Sequence, residues 1–302
     1  MSVIPVIDIS GLYTNDPSSA AAVGNEIDKA CREVGFFYIK GHPFSSERIS
    51  KLKQFAATFF NQPLDEKLKI AMGKNSARGY GDAVKEQLDS RSPYDNKETW
   101  NMGYERPGST DLNKFPDIEG WQEFFHKYYW DMIELGKTIL ATLTPHLGVD
   151  KDFFSQFFSQ PLSVFRILHY PPTDSISVTA GAHTDYGCLT FLYQDQTGGL
   201  QVQGLDGEWV NATPIEGAYV VNIGDMMARW SNDRYKSTTH RVLSTPNVDR
   251  YSFPFFLEPN PDTSLECLPG CHNADNPPKY PVVDAESHLL SRFRETYDHF
   301  EG

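Results

Sequence analysis

The chain lacks several features that would place it in a common functional class. None of its apolar runs approaches the roughly 18 residues that a membrane helix needs, and its N-terminus has no basic stretch followed by an apolar core. It also has no excess of basic residues, because 27 Lys and Arg stand against 40 Asp and Glu, giving a net charge of −13 over 302 residues. This balance argues against binding to nucleic acid or to an anionic membrane surface. Because the chain shows neither a membrane helix nor a secretory signal, we expect a cytoplasmic protein.

Cysteine is scarce, and the familiar nucleotide and nucleophile motifs are missing. Four cysteines predict reduced thiols, and the Cys267-Leu-Pro-Gly-Cys271-His272 segment has no second Cys pair to complete a structural zinc site. We interpret that segment as a loop with two free thiols. The chain has no G-x-S-x-G elbow and no P-loop, and the lone Gly79-Tyr80-Gly81 does not make a dinucleotide fingerprint.

The two halves of the chain differ in their hydrophobic patterns. The first half predicts an edge strand over 3–9, a helix over 20–34 and a strand over 36–39. A helix capped by Ser45 or Ser46 and a short helical turn from Pro63 come next. A loop-rich stretch over 73–120 then leads to a long helix that begins at Trp121 and ends at Gly148. From Ser163 to Phe256, short β-rich runs alternate with turn residues, which is typical of an antiparallel sandwich or barrel. We expect a mainly β protein with flanking helices.

No linker or repeat divides the chain, so the pattern favours one continuous domain over residues 1–302. Its helix-rich part covers residues 1–160 and its β core about 161–260. A proline-rich loop follows over 258–282, and a C-terminal helix is expected over 283–300.

His183-Thr184-Asp185 and the later His240 form a candidate metal site. Residues i and i+2 of an extended strand point the same way, so His183 and Asp185 can reach one ion. Two imidazoles and one carboxylate form the facial triad of non-haem Fe(II) oxygenases. A His-x-Asp pair is common by chance, and the same residues could be structural or could bind zinc.

Arg250 and Ser252 follow His240 on a β-rich run and share one face of it. A guanidinium can hold a carboxylate through two charge-assisted hydrogen bonds, and a serine hydroxyl can add a third. This pair suits an anionic cosubstrate beside the metal, although an Arg in isolation is usually an ordinary surface residue.

In combination, these residues resemble the Fe(II)/2-oxoglutarate-dependent oxygenases of the isopenicillin N synthase-like group. The matching segments span nearly the whole chain: IPVIDIS, GFFYIKGHPF, LHYPP, GAHTDYGCLTFLYQD, GGLQV, VVNIGD, WSNDRYKSTTHRV and RYSFPFF. The resemblance implies a double-stranded β-helix, or jelly-roll, core with helices packed outside. It also implies that His183, Asp185 and His240 bind Fe(II), and that Arg250, Ser252 and Tyr170 bind 2-oxoglutarate. His169 stands where plant members often have a tyrosine, and its role stays open.

Within this group, residues 166–256 look most like fungal enzymes of the thymine 7-hydroxylase type. There the substrate-pocket positions match Arg166, Tyr186 and Phe256. Phe256 could stack on a planar ring and Arg166 could donate hydrogen bonds to carbonyl oxygens. Alternatively, Phe256 is a core residue, Arg166 pairs with a carboxylate, and Tyr186 packs beneath the metal.

The resemblance implies a dioxygenase that uses Fe(II), 2-oxoglutarate and O2 to oxidise, most simply to hydroxylate, a C–H bond of a small organic molecule such as a pyrimidine or a secondary metabolite. Two alternatives stay open: an iron oxidase that needs no 2-oxoglutarate, and a non-catalytic jelly-roll binding module. The sequence indicates neither the substrate nor the oligomeric state.

Overall fold

The computed structural model describes residues 4–73, 76–82 and 97–296. Five of the helices in these ranges match predicted ones. A sixth, the short helix Asp225–Trp230, was not predicted. The predicted C-terminal helix is confirmed over 285–296, and its last four predicted residues lie outside the described ranges. The helices are α1 (Pro17–Glu33), α2 (Ser46–Phe60), α3 (Leu64–Leu68), α4 (Trp121–Leu147), α5 (Asp225–Trp230) and α6 (Ala285–Thr296).

Local capping interactions set the ends of these helices. The Asp16 side chain accepts a hydrogen bond from the Ser18 N–H at the start of α1, and Ser45 Oγ accepts one from the Arg48 N–H at the start of α2. Gly148 ends α4 with a left-handed φ of 69°, a conformation that costs glycine little. The predicted Ser45 cap and Gly148 stop are therefore confirmed.

Strands are most frequent in the second half of the chain, as predicted. Two further strands lie in the stretch that the sequence predicted to be loop-rich. The strands are β1 (Val6–Asp8), β2 (Phe36–Lys40), β3 (Gly79–Gly81), β4 (Glu98–Gly103), β5 (Val164–Tyr170), β6 (Val178–His183), β7 (Leu189–Gln194), β8 (Leu200–Gln203), β9 (Trp209–Asn211), β10 (Tyr219–Ile223), β11 (His240–Leu243) and β12 (Arg250–Leu257).

These strands form two sheets. The larger has the order β1-β2-β10-β7-β12-β5-β4-β3, and the smaller has the order β6-β11-β8-β9. β1 lies at an edge, as Pro5 predicted, and pairs in parallel with β2. The two sheets and their surrounding helices give the predicted mainly β architecture with a jelly-roll core.

The two faces of β12 meet different surroundings. Phe253, Phe255 and Leu257 are fully buried in the hydrophobic core, where the Phe255 ring lies 5.4 Å from the Tyr129 ring of α4. Ser252 and Phe256 alternate with them and line a cavity between the sheets. The period of two along a strand therefore separates the packing face of β12 from its cavity face.

The hydrophobic core joins the helices to the larger sheet. One buried cluster contains Ile27 of α1, Phe59 of α2 and Leu140 of α4 together with Phe191 and Phe255 of the sheet. Burial of this apolar surface holds the cavity-bearing strands against a fixed layer of helices. Among the described residues, no helix combines the length and the apolar composition that a bilayer crossing requires.

Candidate metal centre and its cavity

Cross-strand pairing brings the two predicted histidine ligands together. His183 ends β6 and His240 begins β11, and the two residues are directly opposite in the antiparallel register. Their rings lie 4.3 Å apart. Asp185 follows β6, and its Oδ1 lies 3.9 Å from His183 Nε2 and 3.7 Å from His240 Nε2. One donor atom from each residue lies within 4.8 Å of the others, so the three side chains can contact one ion.

Backbone carbonyls orient both imidazoles. His183 Nδ1 lies 2.6 Å from the Gly181 carbonyl oxygen, and His240 Nδ1 lies 3.2 Å from that of Thr238. A carbonyl oxygen only accepts, so each Nδ1 carries the proton and each Nε2 lone pair points toward Asp185. Burial and the neighbouring His240 lower the pKa of His183 to about 4, which keeps its imidazole neutral near pH 7.

Asn222 of β10 orients the carboxylate. Its Nδ2 donates a hydrogen bond of 2.7 Å to Asp185 Oδ2, leaving Oδ1 toward the histidines. Burial alone would raise the pKa of Asp185, but His240, His183 and the Asn222 hydrogen bond together hold it below its usual value. The carboxylate is therefore ionised. Asn222 lies within the VVNIGD segment, yet the sequence reasoning assigned it no role.

The donor set fits Fe(II). Two neutral imidazole nitrogens and one carboxylate oxygen on one side of a cavity match the facial triad. Across the described ranges, these three residues are the one group of His, Cys, Asp or Glu side chains close enough to hold an ion. Cys267 and Cys271 are free thiols, which agrees with the prediction for that loop.

The predicted carboxylate clamp lies on two adjacent strands. Arg250 of β12 is directly opposite Tyr170 of β5, and its guanidinium carbon lies 4.7 Å from the Tyr170 ring centre. Arg250 Nε donates a hydrogen bond of 2.6 Å to the Gly198 carbonyl. Its two terminal nitrogens are buried without a partner among the described residues. A carboxylate would satisfy both of them, so the arrangement fits the distal end of 2-oxoglutarate.

A cavity of about 160 Å³ extends from the candidate metal ligands to the strands that carry the predicted clamp. All three candidate metal ligands line it, as do Tyr170 and Ser252; Arg250 lies against the Tyr170 ring instead of on the cavity wall. From β5 the cavity receives every second side chain: Val164, Arg166, Leu168 and Tyr170.

The three predicted substrate residues also border this cavity. The Arg166 guanidinium carbon lies 5.6 Å from the Phe256 ring centre. The Tyr186 ring makes an edge contact of 5.8 Å with Phe293 of α6, which lines the cavity as well. The sequence reasoning missed Phe293 and also Glu258, which follows β12 and continues its cavity face one step beyond Phe256.

His169 lies outside the cavity wall. Its Nδ1 lies 2.9 Å from Glu98 Oε2 and its Nε2 lies 2.9 Å from Asp249 Oδ1. The imidazole is stacked on the Tyr251 ring at 4.8 Å. These contacts connect β4, β5 and the start of β12 behind the clamp.

Family models match most of the chain. Residues 4–124 match the N-terminal family model described as non-haem dioxygenase in morphine synthesis, and residues 161–259 match the 2OG-Fe(II) oxygenase superfamily. The chain therefore belongs to the 2OG-Fe(II) oxygenase superfamily, whose members use Fe(II), 2-oxoglutarate and O2. This confirms the predicted family, the class of enzyme and its cosubstrates.

Individual relatives align over nearly the whole chain. The 2-oxoglutarate-Fe(II) type oxidoreductase hxnY of Emericella nidulans is 35% identical, with 99% of this chain and 91% of the relative covered. Homoarginine-6-hydroxylase 2-ODD-C23.1 of Arabidopsis thaliana is also 35% identical, with 92% and 90% covered.

Two solved structures of one full-length Neurospora crassa protein resemble the fold closely. Its complex with alpha-KG has a TM-score of 0.90 at 31% identity, with 98% of this chain and 97% of that chain covered. Its complex with alpha-KG and thymine has a TM-score of 0.87 at 30% identity over the same shares.

Proposed function

We propose that the chain hydroxylates a C–H bond of a small organic molecule, with Fe(II) held by His183, Asp185 and His240. The observation that carries this proposal is the convergence of three donor atoms within 4.8 Å at one cavity. When bound, the iron together with 2-oxoglutarate and O2 supplies the oxidising chemistry, which yields succinate, carbon dioxide and an oxygenated product.

The protein's own groups prepare this centre. The carbonyls of Gly181 and Thr238 fix the imidazole tautomers, and Asn222 holds the Asp185 carboxylate. These contacts hold the three donor groups in the orientation that binding an ion would require.

Arg250, Tyr170 and Ser252 would bind 2-oxoglutarate. The two guanidinium nitrogens of Arg250 that lack a partner in the described ranges accommodate the distal carboxylate, with Tyr170 and Ser252 on the cavity wall beside it. A salt bridge between Arg250 and the distal carboxylate would raise the affinity for 2-oxoglutarate and fix the orientation in which it binds.

Arg166, Tyr186 and Phe256 would bind the substrate. An aromatic ring beside a guanidinium suits a planar, carbonyl-bearing molecule, and a pyrimidine is the simplest example. Support comes from the thymine complex of the structurally similar Neurospora crassa protein.

We further propose one continuous oxygenase domain over residues 1–302 that acts in the cytoplasm on a small molecule rather than on nucleic acid or a membrane. The core shared by Leu140 of α4 and Phe255 of β12 supports a single domain. The net charge of −13 and the free thiols support the remaining points.

The test is succinate formation from 2-oxoglutarate under air with Fe(II), using a panel of small cyclic substrates that includes thymine and uracil. His183→Ala and Asp185→Ala should abolish succinate formation and metal binding, whereas His272→Ala, at an exposed histidine, should change neither. Normal turnover in either ligand variant would refute the site. Oxidation of a substrate without succinate would indicate the 2-oxoglutarate-independent oxidase instead.

A further inference from the structure

Glu258 places a carboxyl group at the substrate end of the cavity. It follows β12 directly, and its side chain continues the alternation of Ser252, Pro254 and Phe256 along the cavity wall. Only 8% of Glu258 is exposed. The residue is therefore an acidic group enclosed in a mainly apolar site.

The position of Glu258 is fixed from two sides. Ser163 Oγ accepts a hydrogen bond of 2.9 Å from the Glu258 N–H and donates one of 2.9 Å to the Glu258 carbonyl. The side chain passes over Gly187, where a Cβ atom would lie 2.8 Å from Glu258 Cγ. Glycine at 187 thus leaves the space that this side chain occupies, two residues beyond Asp185.

The Glu258 carboxyl group has no partner in the part of the chain that the structure describes. Within residues 4–73, 76–82 and 97–296, no side chain or backbone group forms a hydrogen bond or ion pair with its oxygens. Buried polar groups are nearly always hydrogen-bonded, and the Glu258 side chain lines the cavity, so its carboxyl group is placed to bind a donor group of a ligand. Burial raises the pKa of Glu258 to about 8, against the opposing effect of Arg166.

We propose that Glu258 determines specificity by accepting a hydrogen bond from an N–H group of the substrate. This inference rests on the proposed function, and it narrows the substrate to nitrogen compounds. The guanidinium of Arg166 beside Phe256 can only donate, and it suits a carbonyl or carboxylate oxygen. Glu258 supplies the acceptor that Arg166 lacks. The N–H group can belong to a neutral cyclic amide or to a cationic nitrogen group.

The test measures binding to the full chain loaded anaerobically with Mn(II) and 2-oxoglutarate. Thymine represents the neutral N–H source, and thymine methylated on both ring nitrogens is its matched control. Homoarginine represents the cationic source. At least one N–H probe should bind. If thymine binds, methylation should weaken its binding at least about tenfold, and Glu258→Met should weaken any probe that binds by a similar factor.

Glu258→Gln separates the two sources. Glutamine keeps a carbonyl acceptor but carries no charge. The affinity of the Glu258→Gln variant for thymine should therefore lie within a few-fold of the wild-type affinity, whereas its affinity for homoarginine should be far lower. Glu216→Met, at an exposed glutamate, controls for the glutamate-to-methionine change itself. The wild-type comparison of thymine with its methylated form stays decisive if Glu258→Met does not fold.

Three results would overturn the inference: equal binding of methylated and unmethylated thymine, unchanged binding in Glu258→Met, or no binding of either N–H probe to the loaded protein. Failure of Mn(II) and 2-oxoglutarate to bind would instead refute the proposed function. The two failures are therefore distinguishable.

Discussion

Nε2 of His169 lies 2.9 Å from Oδ1 of Asp249, the residue immediately before Arg250. The other ring nitrogen lies 2.9 Å from a Glu98 oxygen. The imidazole therefore bridges two carboxyl groups, one on β4 and one immediately before β12. The sequence left His169 without a role, and the structure places it in a polar cluster behind the clamp strands.

We expect this cluster to make the fold sensitive to acid. Burial alone would raise the pKa of Glu98, but hydrogen bonds from His169, Lys67 and Tyr80 lower it to about 2. A depressed pKa stabilises the fold above the usual value of 4.5, and this stability is lost as the pH falls from about 4.5 toward 2. Allowing for solvent screening, the loss should be about 2 kcal/mol.

Urea unfolding at several pH values measures this effect. In Glu98→Gln, the free energy of unfolding should fall less steeply between about pH 4.5 and pH 2 than in the wild type, because the titrating group is gone. Glu266→Gln, at an exposed position, should keep the wild-type slope. An identical acid slope in Glu98→Gln would contradict the assignment.

Arg250→Ala should raise the Kd of 2-oxoglutarate by about 30-fold to a few thousand-fold, because truncating one partner of a buried charge pair costs about 2–5 kcal/mol. Anaerobic titration of the Mn(II)-loaded protein measures it. Arg241→Ala is the matched control, since the Arg241 guanidinium stacks on Trp209 at 4.1 Å and its Nε donates a hydrogen bond to Gln201. Unchanged 2-oxoglutarate binding in Arg250→Ala would place the clamp elsewhere.

Two variants of Tyr170 separate its ring from its hydroxyl. Tyr170→Phe keeps the ring against Arg250 and removes one hydrogen-bonding group, so 2-oxoglutarate binding should weaken at most about tenfold. Tyr170→Leu also removes the cation–π contact and should weaken binding further. Equal affinities in the two variants would mean that the ring does not position the guanidinium.

Asn222→Ala should lower metal affinity by about 10- to 100-fold, because groups that orient a metal-binding carboxylate commonly contribute that much. Titration with Mn(II) or Co(II) checks this directly. Asn211→Ala, on the exposed side of β9, serves as the control. If the Asn222 variant binds metal as the wild type does, its hydrogen bond to Asp185 has no influence on the site.

The sequence predicted the parts of this site that depend on local periodicity. Arg250 and Ser252 share β12, as the strand pattern predicted, and the helix stop at Gly148 follows from backbone preference. Asp185 does approach His183 as predicted, but it lies two residues beyond the end of β6, so strand geometry alone does not place it. The pairing of His183 with His240 joins strands that are far apart in the chain, so local sequence could not predict it. The family resemblance implied that both histidines bind one ion, and the strand register agrees with this.

Other features could not be predicted because they depend on tertiary pairing. β4 lies among Gly, Pro and Asn residues that favour loops, and it forms a strand because β5 offers it an antiparallel partner. Asn222 and Glu258 carry no local signal of their roles. Asn222 acts through its hydrogen bond to Asp185 Oδ2. Glu258 reaches the cavity because the chain keeps the alternation of β12 for one residue past the end of the strand.

The alternating side chains of β12 have an evolutionary consequence. In the proposed function, the first residues of this strand bind the cosubstrate and its last residues, with Glu258 just beyond them, bind the substrate, while the opposite face packs against the helical layer. Substitutions at 256 and 258 can therefore diversify substrate preference without disturbing the region that every turnover shares. A lineage of related enzymes could acquire new substrates by changing one end of a single strand.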